Sequence, residues 1–255
     1  MRLLLLLCFL IPLTSCQNRL VQRLVKAKPS PVSKFLDQRL SMQPMRQRLP
    51  FHYAWWNADP EVISTVRRAT EIYIAPVETR YLRPVSKALA AWELRNGFTR
   101  PGDDRIAYEL WNRFRLAFWH SQAPRYRLVN QPGPRSIILE LAVTELNPTS
   151  VPGNVVKTAA KFVIGPLSAP LGIFTKGNIA IEGKVTLPGP TPRVSFLQFS
   201  DNEKDKMTWY SARDFQPYAH ALVAADEWAR QFEEFTRTHP LHTVEESSFF
   251  TLKPW

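Results

Sequence analysis

The period of the hydrophobic pattern changes several times along this chain, and each change predicts an element. Glu71-Ile72-Tyr73-Ile74-Ala75-Pro76-Val77 is dense in β-formers and predicts a strand, with Pro76 limiting its continuation. Pro84 to Asn96 reads as a short helix, with Leu89 and Trp92 in register and Gly97 as its stop. Asp103 or Asp104 supplies an N-cap for a helix to about Ser121, on which Ile106, Leu110, Phe114, Ala117 and Phe118 share one face. Trp111 and Trp119 widen that face, while Arg105, Glu109, Asn112 and Arg113 fall on the wet side.

In Ile137, Leu139, Leu141 and Val143 the period drops to two, alternating with Ile138, Glu140, Ala142 and Thr144, until Asn147-Pro148. A second such strand sets Ile179, Ile181, Val185 and Leu187 inward and Glu182, Lys184 and Thr186 outward, with Gly183 as a bulge. Pro188-Gly189-Pro190 turns the chain into Arg193 to Phe199, Asp201 to Lys206 reads as a charged turn, and Met207 to Tyr210 adds a short strand. The closing helix starts near Asp214 or Gln216. Tyr218, Leu222, Ala225, Ala229 and Phe232 keep one face, with Ala221, Trp228 and Phe235 beside it and Asp226, Glu227, Glu233 and Glu234 off it. Strands and helices without regular βαβ spacing predict an α+β fold. The expected form is a mostly antiparallel sheet of about four to five strands, with the helices at 103–121 and 214–236 packed on one face.

The N-terminal pattern is different in kind. Arg2, the apolar run Leu3 to Leu13 and the small residues before Cys16 have the layout of a secretory signal peptide, and the run is too short for a lasting membrane span. Leu13-Thr14-Ser15-Cys16 also resembles the bacterial lipobox, which implies cleavage after residue 15 and acylation of Cys16. Cys8 leaves with the signal, so the exported domain has no disulfide and no thiol nucleophile. Gln17, not Asp, follows the cysteine, which resembles the signal for sorting to the outer membrane, facing the periplasm.

Charge distribution changes the picture further. The net charge is +11, but residues 16–58 hold +7 of it and residues 59–255 only +3. The excess lies beside the anchor, where anionic headgroups are the nearest partner, so no nucleic acid is needed to explain it. With Pro29, Pro31, Pro44 and Pro50 interrupting it, the stretch 16–58 reads as a lipid-anchored basic tether. The domain is then expected at 59–238, with a tail at 239–255.

Candidate chemistry is sparse. No Gly-x-Ser-x-Gly elbow, P-loop or Gly-x-Gly-x-x-Gly fingerprint occurs. His239-Pro240-Leu241-His242 has a tempting metal spacing without a third ligand nearby, and His120 suits a helix C-terminus. His220 and Asp226 do not share a helical face, and adjacent carboxylates such as Asp226-Glu227 or Glu233-Glu234 point about 100° apart. The expectation is no catalytic residue, no cofactor and no metal.

The unusual stretch is the apolar connection from Thr149 to Lys176, broken by Gly165-Pro166, Pro170 and Gly172. One account folds a short helix, about Val155 to Ile164, back onto the core. The other makes it an exposed flap for a partner subunit, a lipid surface or an acyl ligand, with Phe162, Ile164, Leu167, Leu171 and Phe174 as the contact surface.

Three motifs carry a family resemblance: Ile-Tyr-Ile-Ala-Pro-Val-Glu at 72–78, Ala-Ile-Glu-Gly-Lys-Val at 180–185 and Ala-Ala-Asp-Glu-Trp-Ala at 224–229. With the lipobox they make the chain similar to a bacterial lipoprotein family filed as domain of unknown function 3313, over about residues 52–237. The long basic tether and an insertion at Pro84–Asn96 depart from it. The resemblance implies no activity. The function expected is a non-enzymatic envelope scaffold or assembly factor, contacting an envelope protein or a second copy. The alternative is a lipid- or small-molecule-binding module, or an enzyme, with its pocket under 149–176.

Overall fold

The computed structural model describes residues 29–44, 49–83, 103–147, 177–190, 193–204, 207–208, 218–247 and 250–251. Their order is β1 (Gln43–Pro44), β2 (Tyr53–Trp56), α1 (Pro60–Arg68), β3 (Glu71–Ile74), α2 (Asp103–His120), β4 (Arg127–Val129), β5 (Ser136–Asn147), β6 (Asn178–Thr186), β7 (Ser195–Lys204), β8 (Met207–Thr208), α3 (Ala219–Arg237) and β9 (Phe250–Thr251). The fold is α+β.

Seven strands form one mixed sheet in the order β1-β2-β7-β6-β5-β3-β4, and β8 pairs with β9 apart from it. The expected four to five mostly antiparallel strands are corrected here. From β5 through β6, β7, β2 and β1 the pairing is antiparallel, but β3 is parallel to both β4 and β5. A parallel neighbour needs a crossover connection. Between β3 and β4 the crossover contains α2, which packs on both.

One face of the sheet carries the main core. Ile72, Ile74, Ile137, Leu139, Leu141, Val143, Ile179, Ile181, Val185, Leu197 and Phe199 meet Ile106, Leu110, Phe114 and Phe118 of α2 and Ala221, Ala225, Trp228, Ala229 and Phe232 of α3. The two helical periods predicted this face position by position, apart from Ala117 and Leu222, which are half-buried. Trp119 is a correction: it is 73% exposed, two positions round the helix from the buried stripe. The third helix, α1, was not expected. Asp59 caps it by accepting from the Glu61 N–H at 2.8 Å, Pro60 opens it, and Val62 and Val66 are its buried positions.

Gly183 is not a bulge. A Cβ there would stand 2.2 Å from Cζ of Phe199, so the position is glycine for want of space. Phe199 is itself stacked on Phe51 at 4.4 Å between ring centroids and on Phe232 at 5.6 Å. The charged turn expected at Asp201 to Lys206 is, as far as Lys204, the second half of β7. Asp201 and Asn202 are buried there.

The largest correction concerns the tether. Its described part, residues 29–44 and 49–58, belongs to the folded body: Phe35, Leu36, Leu49, Phe51 and Ala54 are buried, and β1 and β2 extend the sheet. Residues 29–42 form a strap across the sheet face opposite the helices, where Phe35 and Leu36 pack with Ala142. Pro29 and Pro31 fix φ and remove two backbone donors, which suits a segment held by side chains and not by a strand ladder. The helix expected at Pro84–Asn96, and the start of the closing helix at 214–217, lie outside the described residues. Among the described residues no helix is long and apolar enough to cross a membrane.

Candidate functional site

The strap and the strands beneath it bring together the polar residues that sequence left unplaced. Strand alternation puts Glu182 on the face away from the helices, as expected, but the strap covers that face and Glu182 is 1% exposed. The backbone N–H of Ser33 donates to Glu182 Oε1 at 2.5 Å, and the Ser33 hydroxyl donates to Oε2 at 2.6 Å. Burial pushes the Glu182 carboxyl above its ordinary range, against the pull of both Ser33 bonds and the Arg83 charge. On β7 the Gln38 N–H donates to Gln198 Oε1 at 2.9 Å. At the strap's centre Lys184 Nζ lies 4.6 Å from the centroid of the Phe35 ring, which also meets Tyr81 edge-on at 5.4 Å.

The strap's first contact is on β5, and a bulge creates it. Val143 pairs with Ile181 but Glu145 pairs with Ala180, so one extra residue is inserted between them. A one-residue shift reverses which face each side chain takes. Glu145 is thereby turned to the strap side and Leu146 returned to the core. There Glu145 accepts from the Ser30 hydroxyl at 2.9 Å, from Asn178 Nδ2 at 2.9 Å and from the Arg83 guanidinium, which also donates to the Pro31 carbonyl. Asn147 Nδ2 donates to Asn178 Oδ1 at 2.6 Å, tying the ends of β5 and β6 together. One carboxylate thus joins the strap, the end of the 75–83 segment and Asn178, which follows the apolar connection and in turn holds Asn147 before it.

Beside it Asp201 holds a second network. His52 Nδ1 is 2.7 Å from Asp201 Oδ1, and the buried Trp228 indole donates to Oδ2 at 2.6 Å. Ser30, His52, Thr144, Glu182, Ser200, Asp201 and Asn202 line a fissure between the two networks. The fissure is too narrow to hold a water molecule as it stands, so no ligand enters it while the strap is down. On the other side of the sheet an open groove of about 700 Å³ follows the α2–α3 seam. Its acidic residues are tied up: Asp226 with Arg113, and Glu233 with Arg237 at 3.0 Å and the Ser121 hydroxyl at 2.6 Å. Glu233, expected off the buried face, is a buried residue. Glu234 is bonded to His242 at 3.0 Å. Among the described residues no three His, Cys, Asp or Glu side chains gather to hold a metal.

Cys16, and Phe162, Ile164, Leu167, Leu171 and Phe174, lie outside the described residues, and so does the connection proposed to cover a pocket. His52, Asp201, Ser33 and Arg83 were missed. Asp201 was within reach, since Leu197 and Phe199 already set a period of two that runs on through it. Nothing local marks Ser33, whose partner is 149 positions away.

The family model described as "Protein of unknown function (DUF3313)" matches residues 31–232. The chain belongs to this family. The DUF3313 match begins at the strap and not at residue 52, so the family domain takes in most of what composition assigned to the tether. No curated protein matches. The solved structure of the hypothetical protein CT253 from Chlamydia trachomatis is similar at 9% identity, covering 66% of this chain and 98% of that one, with a TM-score of 0.37. At that score it carries no argument about this DUF3313 protein.

Proposed function

We propose that this protein is an envelope lipoprotein, anchored at the outer membrane through acylated Cys16 and facing the periplasm, whose domain acts without catalysis as a scaffold or assembly factor. The lipobox-like Leu13-Thr14-Ser15-Cys16 supports the anchor, and Arg19, Arg23, Lys26 and Lys28 between anchor and strap support contact with anionic headgroups. The observation that carries the scaffold reading is the junction at Glu145. The strap, which continues the tether, and Asn178, which follows the apolar connection, are bonded to the same carboxylate. The partner contact proposed at Phe162, Ile164, Leu167, Leu171 and Phe174 is therefore rooted where the chain leaves for the lipid. A membrane-proximal envelope protein, or a second copy on the same membrane, is the occupant this arrangement suits.

A photocrosslinking residue in place of Phe162 or Phe174, in intact cells, tests the reading. The expected result is one discrete adduct, to an envelope protein or to a second copy. Adducts no different from those of the same residue at Leu241, which is exposed in the tail, contradict it.

A further inference from the structure

We propose that residues 29–42 are a releasable latch, which sets how far the folded domain can stand from the membrane. The strap crosses β5, β6 and β7 in turn and is hydrogen-bonded to Glu145, Glu182 and Gln198, with Asp37 3.8 Å from Lys184 on β6 and the Pro31 carbonyl accepting from Arg83. Its apolar contact is confined to Val32, Phe35, Leu36 and Met42, which pack with Ala142 and Tyr81. Most of what it covers is polar: Thr144, Glu182, Gln198, Ser200 and Asn202 are all buried. A cover that seals a carboxylate gives up that group's hydration, and two hydrogen bonds from Ser33 offset only part of the loss. With the strap lifted, water satisfies the same groups. The helix-side core gains nothing comparable from opening, because its side chains are apolar. The strap is therefore the part of the fold that opens alone.

Opening is linked to protons through Glu182. Arg83 faces it from the segment after β3, and His52 and Asp201 line the same fissure from the loop before β2 and from β7. Glu145 and Glu140 lie on β5. Lys184 lies on β6, 3.5 Å from Glu140 and 3.8 Å from the strap's own Asp37, and Lys34 and Arg39 are the strap's other charges. The closed strap binds the Glu182 proton more tightly than the open face does, since burial raises this group's pKa. Closure is favoured most below the ordinary carboxylate range, weakens as pH rises through the raised value, and is constant above it.

The consequence for reach rests on the lipid-anchor reading. Pro29 is the thirteenth residue after Cys16, a span of at most about 45 Å. With the strap lifted, the span runs to Gln43, the twenty-seventh residue after Cys16, or at most about 95 Å. Release doubles the distance at which the domain can meet a partner.

The test is thiol labelling of the full chain in membranes, with Ala142→Cys and Ala180→Cys under the strap and Ala229→Cys in the helix-side core. All three alanines are buried. Each rate is divided by that of the same variant unfolded at the same pH, which removes thiol ionisation. Ala142→Cys and Ala180→Cys should label at least about tenfold faster than Ala229→Cys, since they need only local opening. Labelling should quicken as pH rises through the Glu182 titration. Adding Ser33→Ala should quicken it further, and adding Glu182→Gln should slow it and flatten the pH dependence. Equal rates at all three sites, or a pH dependence that survives Glu182→Gln, overturn the latch. Labelling of Cys16 itself indicates a failed lipid anchor and leaves the ratio between buried sites to decide the latch.

Discussion

At the scale of single residues, two positions test whether the packing is understood. Gly183→Ala places a methyl group where the Phe199 ring stands, and that ring is fixed between Phe51 and Phe232. The expected cost is about 1–3 kcal/mol in a denaturant titration, as for other overpacked cores. Asp201→Ala strands the buried Trp228 indole N–H and removes the acceptor of the His52 backbone N–H. It should cost about 1–3 kcal/mol, and less in a Trp228→Phe background where the stranded donor is gone. Two glutamates predict opposite pH behaviour. The Arg127 hydrogen bond holds Glu71 below its ordinary range, so its stabilisation is present at neutral pH and lost as pH falls through the lowered value. Glu182, raised by burial, contributes stability that is complete in acid and lost as pH rises through the raised value. Thermal melts across that interval should show Glu182→Gln removing the neutral-side loss and Arg127→Gln the acid-side one.

At the scale of elements, the two predicted helices that fall among the described residues are those whose burial follows one period. Ile106, Leu110, Phe114 and Phe118 on α2, and Ala221, Ala225, Trp228, Ala229 and Phe232 on α3, are spaced to one face and all are buried. α1 was missed because it shows only Val62 and Val66, too few for a stripe, beside a Pro and an Asp that read equally well as loop. Its cap gives a measurable handle: Asp59→Ala should cost about 1 kcal/mol in stability, and Asp59→Ser should restore most of it. The strap was illegible for a stronger reason. Its proline and basic content is that of a linker, and the residues that hold it down, Glu145, Glu182 and Gln198, are more than a hundred positions away. The parallel pairing of β3 is of the same kind, since it sets Ile72 opposite Ile137, sixty-five positions away.

At the scale of the whole molecule, the helices cover one face of the sheet and the N-terminal strap the other, so residues 29–42 are part of the fold. In the proposed reading, an anchor at Cys16 would lead, after a short basic run, into this segment seated on the central strands. The measurement that tests this most directly is metabolic labelling with a fatty-acid analogue in cells making the wild-type chain or Cys16→Ala. The account predicts label on the wild type, recovered with the outer-membrane fraction, and none on Cys16→Ala, which should persist as unprocessed precursor. A wild-type chain that is processed and carries no label would contradict it.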